Sequence, residues 1–188
     1  MRTLKRTLPA VLLLALAGCG YNTIQTYDEQ VNAAGSQIKV QLQRRADLIP
    51  NLVETVKGYA RHEQTVFTDV ANARARLAGA VQSGDLRQMA DANAALTAPL
   101  GRLLAIAENY PQLKANENFR ALQDQLEGTE NRIAVARQDY NEAVNRYNAY
   151  IRRFPQVLTA KVIGKKPRTY FEVTTPGADT VPRVNFTK

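Results

Sequence analysis

FRALQDQLEG TENRIAVARQ DYNEAVNRYN AYIRRF, residues 119–154, decides the architecture. Its apolar row runs Phe119, Leu122, Leu126, Thr129, Ile133, Ala136, Tyr140, Ala143, Tyr147, Tyr150 and Phe154, with Thr129 the one polar member. The steps alternate three and four without a slip. A sustained 3.5-residue repeat keeps one seam of a helix facing a partner along its whole length. Thirty-six residues in one helix would extend roughly 54 Å. That is too long for a helix of a compact α/β domain, and it reads as the central rod of a bundle.

Composition agrees. The chain has 188 residues, 45% of them hydrophobic, with ten Gly, eight Pro and no Trp. One domain with a sizeable core is the prior at this length. Ala and Asn are abundant, and β-branched runs are scarce before the C-terminus, which favours helix over strand. The formal charge is +8. Removal of a leader holding Arg2, Lys5 and Arg6 leaves 8 − 3 = +5. The single cysteine, Cys19, cannot form an intrachain disulfide.

Upstream, residues 1–18 read as a signal peptide. Arg2, Lys5 and Arg6 form a basic start, and Leu8 to Ala17 is an apolar run far short of the roughly 20 residues needed to span a bilayer. Leu16-Ala17-Gly18-Cys19 resembles the bacterial lipobox, in which the cysteine thiol receives a diacylglyceryl group before cleavage leaves it N-terminal. Cys19 is therefore the expected lipid attachment point, and two or more acyl chains make a stable anchor. The position after it is Gly20 rather than Asp. That points to the periplasmic face of the outer membrane in a bacterium with two membranes.

Residues 22–82 read as a second long helix. Its apolar positions are Ile24, Tyr27, Val31, Ala34, Ile38 and Leu42, then, after one extra residue, Ala46, Ile49, Val53, Val56, Ala60, Phe67, Val70, Leu77 and Val81. The irregular spacing near Leu42 reads as a stutter. Glu63 and Arg74 interrupt the row. Pro50 predicts a kink or a break, with Asp47 as candidate cap of a new start. Ser83-Gly84-Asp85 is a turn, with Asp85 the N-cap of a helix that ends at Asn109, before Pro111. Asn116 is a candidate cap for the rod, Gly128 predicts close approach of another helix, and Pro155 closes the rod. The fold class is thus all-α: a long antiparallel up-and-down bundle of three to four helices over residues 19–163. Residues 164–188, rich in Pro and Gly with short β-type runs such as Arg168 to Thr175, form an extended C-terminal tail.

Chemistry is hard to find. His62 is the only histidine, and His62-Glu63 lacks the second ligand of a zincin motif because residue 66 is Val. No metal-ligand spacing, nucleophile–histidine pair or phosphate loop stands out, so neither cofactor nor metal is expected. Glu54, Glu108, Glu117 and Glu130 could supply paired carboxylates, but nothing selects a pair. The pattern favours Arg45 with Asp47, and Glu130 with Arg132 or Arg137, as pairs in polar layers that fix register. The sharper alternative is a groove that recognises a partner. Tyr140-Asn141 and Tyr147-Asn148 repeat one heptad apart; they read as a core layer, or else as a peptide-binding stripe. Arg152, Arg153, Lys161, Lys165, Lys166 and Arg168 make a basic end suited to solvent, lipid headgroups or an acidic partner. Nucleic acid is not expected for an exported chain with no recognition motif.

Three stretches are similar to the LemA family. They are Gln43-Arg44-Arg45-Ala46-Asp47-Leu48-Ile49-Pro50-Asn51-Leu52-Val53, Ala107-Glu108-Asn109-Tyr110-Pro111-Gln112-Leu113-Lys114-Ala115-Asn116, and Leu126 to Phe154 with Glu130-Asn131, Ala136-Arg137, Tyr140-Asn141, Tyr147-Asn148 and Phe154-Pro155. Tyr170-Phe171 and Val184-Asn185-Phe186 also fit. The resemblance implies a long antiparallel bundle attached at its N-terminus to the bacterial envelope, with no established enzymatic activity. Many members carry an N-terminal transmembrane helix; this sequence departs by offering a lipobox. Members are often encoded beside a membrane zinc metalloprotease, which makes envelope proteins of that kind the implied partners.

Three functional readings follow. The favoured one is a non-catalytic interaction or scaffold module, held to the membrane by lipid on Cys19, with self-association left open. The second is a protein that binds or shapes a membrane surface through its basic end. The third is an enzyme with an unfamiliar site.

Overall fold

The computed structural model describes residues 20–172. Among them are six helices and no strand: α1 Tyr21–Lys57, α2 Gln64–Ser83, α3 Leu86–Asn109, α4 Pro111–Lys114, α5 Glu117–Ile151 and α6 Gln156–Val162. The fold is an all-α helical bundle carried by α1, α2, α3 and α5. The leader, Cys19 and Val184-Asn185-Phe186 lie outside the described residues. The chain groups into two compact units. Of the described residues, one takes those up to Ile38 together with Ile133–Tyr170; the other takes Lys39–Arg132 with Phe171 and Glu172.

The buried face of α1 differs from the apolar row read in the sequence. Buried positions include Ile24, Asp28, Val31, Ile38, Leu42, Arg45, Ile49, Leu52 and Val56. With half-buried Gly35 between Val31 and Ile38, the steps alternate four and three from end to end. The stutter at Leu42 is therefore absent. It came from requiring every seam residue to be apolar; Asp28 and Arg45 are full members of the row. Each fully buried Leu or Ile in such a row contributes about 1.5–3 kcal/mol relative to an exposed one.

Pro50 neither breaks the helix nor starts a new one, since α1 runs through it to Lys57. A proline inside a helix has no N–H for the carbonyl four residues back, here that of Ala46. Arg74 on α2 supplies the missing donor: its Nε–H donates to the Ala46 carbonyl at 2.9 Å. The residue that seemed to interrupt the second row thus repairs the backbone beside the proline. Asp47, the expected cap, is exposed and accepts from Gln43 Nε2 at 2.8 Å instead. The interruption falls later, at residues 58–63, with Glu63 at the N-cap position of α2.

The α2–α3 hairpin forms as the sequence predicts. Asp85 caps α3 by accepting from the backbone N–H of Arg87 at 2.8 Å and of Gln88 at 3.3 Å. The two helices run antiparallel and bury Phe67, Val70, Leu77 and Val81 on one side and Met89, Leu96, Leu100 and Leu103 on the other. Asn116 caps α5, its Oδ1 accepting from Phe119 N at 3.0 Å.

Along α5 the row holds from Phe119 to Tyr147, including Thr129, whose hydroxyl donates to the Leu126 carbonyl at 2.7 Å. It fails at the end. The helix stops at Ile151, and Phe154, in the turn before α6 with a cis Phe154–Pro155 bond, is 77% exposed. Gly128 admits no close helix: a Cβ there would meet only the Arg132 guanidinium, at 3.3 Å.

Two glycines set the chain's path at this end of α5. Gly20 has φ +106°, and a Cβ on it would lie 3.0 Å from both the Tyr150 hydroxyl and Gln156 Cγ. Both the backbone conformation and the close approach exclude a side chain there. Tyr27 then stacks edge-on against Tyr150, centroids 5.2 Å apart. Gly164, φ +70°, closes α6. The Lys165 N–H donates to the Ala160 carbonyl at 2.9 Å, and the Gly164 N–H to that of Lys161 at 3.2 Å. This paired closure on a left-handed residue ends a helix and redirects the chain. Residues 165–172 have no regular secondary structure.

Candidate functional site

Polar side chains converge at two places, one in each unit. The first lies where residues 165–169 meet α1 and α5. The heptad-spaced Tyr140 and Tyr147 are buried, with rings in the core and hydroxyls at its edge. Tyr147 donates to the Lys166 carbonyl at 3.2 Å and Tyr140 to that of Thr169 at 3.1 Å. Buried Asn148 makes a reciprocal pair with Arg168: its Nδ2 donates to the Arg168 carbonyl and its Oδ1 accepts the Arg168 N–H, both at 2.8 Å. A side-chain amide has the donor and acceptor of a peptide group, so it pairs with an extended backbone as a neighbouring strand would. The stripe read as a core layer or a peptide-binding face holds the chain's own 166–169 segment. Asn141 is half-buried beside it.

Asp28 locks this arrangement. Its Oδ2 accepts from Lys165 Nζ at 2.5 Å, and its Oδ1 accepts from Arg168 Nε at 3.1 Å and Nη2 at 2.8 Å. Arg168 Nη2 also reaches Asn32 Oδ1 at 3.2 Å. Burial alone would push the Asp28 carboxyl up. The hydrogen bonds and charges of Lys165 and Arg168 outweigh it, and the pKa falls below its ordinary value. The same bond raises Arg168, while burial raises the phenols of Tyr140 and Tyr147. Lys165 and Arg168, assigned from sequence to an outward basic end, are thus tied to an internal acid.

The second convergence is around Arg45, 5% exposed on α1. Its Nη1 donates to Asn93 Oδ1 on α3 at 2.6 Å and forms an ion pair with Glu130 on α5. One guanidinium therefore ties three helices at one level. Burial lowers the Arg45 pKa, and Glu130 restores it only in part. Its Nε is buried without a hydrogen-bond partner, as is Gln41 Oε1 one turn earlier.

The polar layers exist with different partners from those expected. Arg45 does not pair with Asp47, because residues two apart point to opposite sides of a helix. Glu130 reaches Arg45, whereas Arg132 lies over Gly128. Arg137 is half-buried on α5. Sequence reasoning missed Asp28; Asn93 falls in the periodic row of α3 with Met89 and Leu96, but no partner was assigned to it. For Asp28 the signal was available: it stands four after Ile24 and three before Val31, on the buried face.

Among the described residues no group of three or more His, Cys, Asp or Glu could hold a metal ion, and no helix is long and apolar enough to cross a membrane. Comparison with known proteins finds the magnetosome protein MamQ 2 of Paramagnetospirillum magneticum, 28% identical over 196 residues, covering 92% of this chain and 72% of that protein. MamQ of Magnetospirillum gryphiswaldense is 27% identical over 183 residues, covering 85% and 67%. Residues 34–186 match the family model described as the LemA family. That span takes in the Arg45 layer, all of the first convergence except Asp28 and Asn32, and most of every long helix, and the chain belongs to the LemA family.

Proposed function

We propose that this chain is an envelope lipoprotein whose bundle acts as a non-catalytic interaction module, held to a bilayer through lipid on Cys19. The observation that supports it best is the use made of buried polar and charged side chains. Asp28, Arg45 and Asn148 each engage two or more groups of the chain itself. Side chains committed to register and to the tail are poor candidates for turnover chemistry, which needs groups that face a substrate. What remains outward is a long helical surface suited to docking.

The test has two parts. Mass spectrometry of the mature N-terminal peptide reads the diacylglyceryl addition on Cys19; an unmodified thiol rejects the anchor. Photo-crosslinkers placed on exposed positions of α2 and α3 in living cells read the partner. Recovery of the same envelope protein from neighbouring positions supports the module. Crosslinks to lipid alone, at every position, reject it.

A further inference from the structure

The corner between α5 and α6 is unlike the rest of the surface. Phe154 is 77% exposed, Leu158 50% and Val162 85%. Leu158 and Val162, four apart, share one face of α6, and Phe154 precedes them by a further four. Of the large apolar side chains exposed among the described residues, these three fall within nine positions of sequence. Their neighbours are basic: Arg152, Arg153, Lys161 and Lys166 are exposed. No Asp or Glu occurs between Glu142 and Glu172. Lys165 and Arg168 are both held by Asp28, whose single charge offsets one of theirs, so the side chains that project outward are those of the four exposed cations.

The same corner receives the start of α1. Gly20 sits against Tyr150 and Gln156, and Gly20 is bonded to Cys19. Tyr21, the next residue, is 45% exposed. Under the anchored reading above, the lipid is carried by the residue next to one that lies on this surface.

We infer that the α5–α6 corner is a membrane foot, in which Phe154, Leu158 and Val162 insert into the interfacial layer of an anionic phospholipid bilayer while Arg152, Arg153, Lys161 and Lys166 meet its headgroups. Apolar side chains ringed by Lys and Arg are the chemistry by which a helix lies in the interface plane, and anionic headgroups attract such a ring. The inference rests on the anchored reading above for its geometry and deepens it: lipid holds the chain near the membrane, and the foot fixes which face looks down.

The test uses the full chain, purified from membranes and reconstituted in vesicles of phosphatidylethanolamine and phosphatidylglycerol. With Cys19 alkylated, a cysteine from Val162→Cys is the only free thiol and takes a polarity-sensitive nitrobenzoxadiazole dye. Val135→Cys is the control, an exposed apolar position of α5 about 24 Å before the helix end. The expected result is a blue-shifted dye at 162, quenched by spin-labelled lipid, and an aqueous dye at 135. Phe154→Ser with Leu158→Ser, both at exposed positions, should return the 162 dye to water, and neutral phosphatidylcholine vesicles should weaken its burial. Equal quenching at both positions, or at neither, overturns the foot. So does a blue shift in detergent that depends on protein concentration and ignores lipid, because it means the corner pairs with a second copy. If mass spectrometry finds Cys19 unmodified, the anchor fails separately. The dye variants are then made with Cys19→Ser and mixed with the same vesicles, where burial at 162 alone still supports the foot and its absence overturns it.

Discussion

Asp28 and Arg45 stand in the same buried row of α1, and each brings a charge out of water, but they are solved differently. Asp28 is an acid met by two cations that use both its oxygens. Those cations come from residues more than 130 positions away and remain partly exposed. Arg45 is a cation with one half-exposed acid and one buried amide, and its Nε has no hydrogen-bond partner. The first site is a clasp at the edge of its unit, holding an irregular segment down. The second is a layer inside a bundle, where the desolvation cost is highest and the compensation least complete. A buried ion pair is weak evidence of net stability, yet removing one partner is costly. The difference predicts that breaking the layer lowers the stability of its unit, whereas breaking the clasp frees a segment.

The largest effect is expected at Arg45. Arg45→Ala leaves the buried Asn93 carbonyl oxygen without its donor and opens a cavity, and should destabilise by about 3 kcal/mol in urea unfolding. Arg45→Met combined with Asn93→Leu, which keeps most of the volume and removes the buried amide together with the charge, should fall within about 1 kcal/mol of the parent. Equal losses in the two variants would mean the charge itself stabilises.

Asp28→Asn comes next, at about 2 kcal/mol, read as faster amide exchange at residues 165–169 while α2 and α3 keep their protection. The pH dependence has a definite sign. The Asp28 pKa is lowered in the folded chain, so its contribution is fully present above the unfolded value of about 3.9 and is lost as pH falls through the lower folded value. Acid should release the segment in the parent, and the Asn variant should already be released at neutral pH. Global unfolding of Asp28→Asn would show that the clasp and the layer are not distinct devices.

The smallest effect sharpens the contrast with a third cation. Arg74 serves a carbonyl rather than a carboxylate, so Arg74→Met should cost about 1.5 kcal/mol. Pro50→Ala restores the missing backbone donor, and in that background the loss should shrink. A double-mutant cycle showing strict additivity would mean that the Arg74 bond to Ala46 does not compensate for the proline.

Much of this was legible. The α5 repeat, the Asp85 and Asn116 caps and the end of α3 before Pro111 are local signals, and local signals survive folding. Four things were not. An apolar-only search misplaced the α1 row, because Asp28 and Arg45 occupy buried positions that hydrophobicity cannot find; the parity of the repeat could have found them. Of the kink or break offered at Pro50, the break does not occur, and the compensation comes from another helix. The tail's place on Tyr140, Tyr147 and Asn148 depends on backbone carbonyls, which no side-chain pattern announces. Phe154 fell outside the core because the helix ends three residues before it.

Gly20 carries a last consequence. Helix α1 begins at Tyr21, and the only residue between it and Cys19 is pinned against Tyr150 and Gln156. Under the proposed anchoring the unit that holds Gly20 cannot swing out in search of distant targets. Whatever that unit recognises must travel to the bilayer, and arrive at a height and bearing already chosen for it.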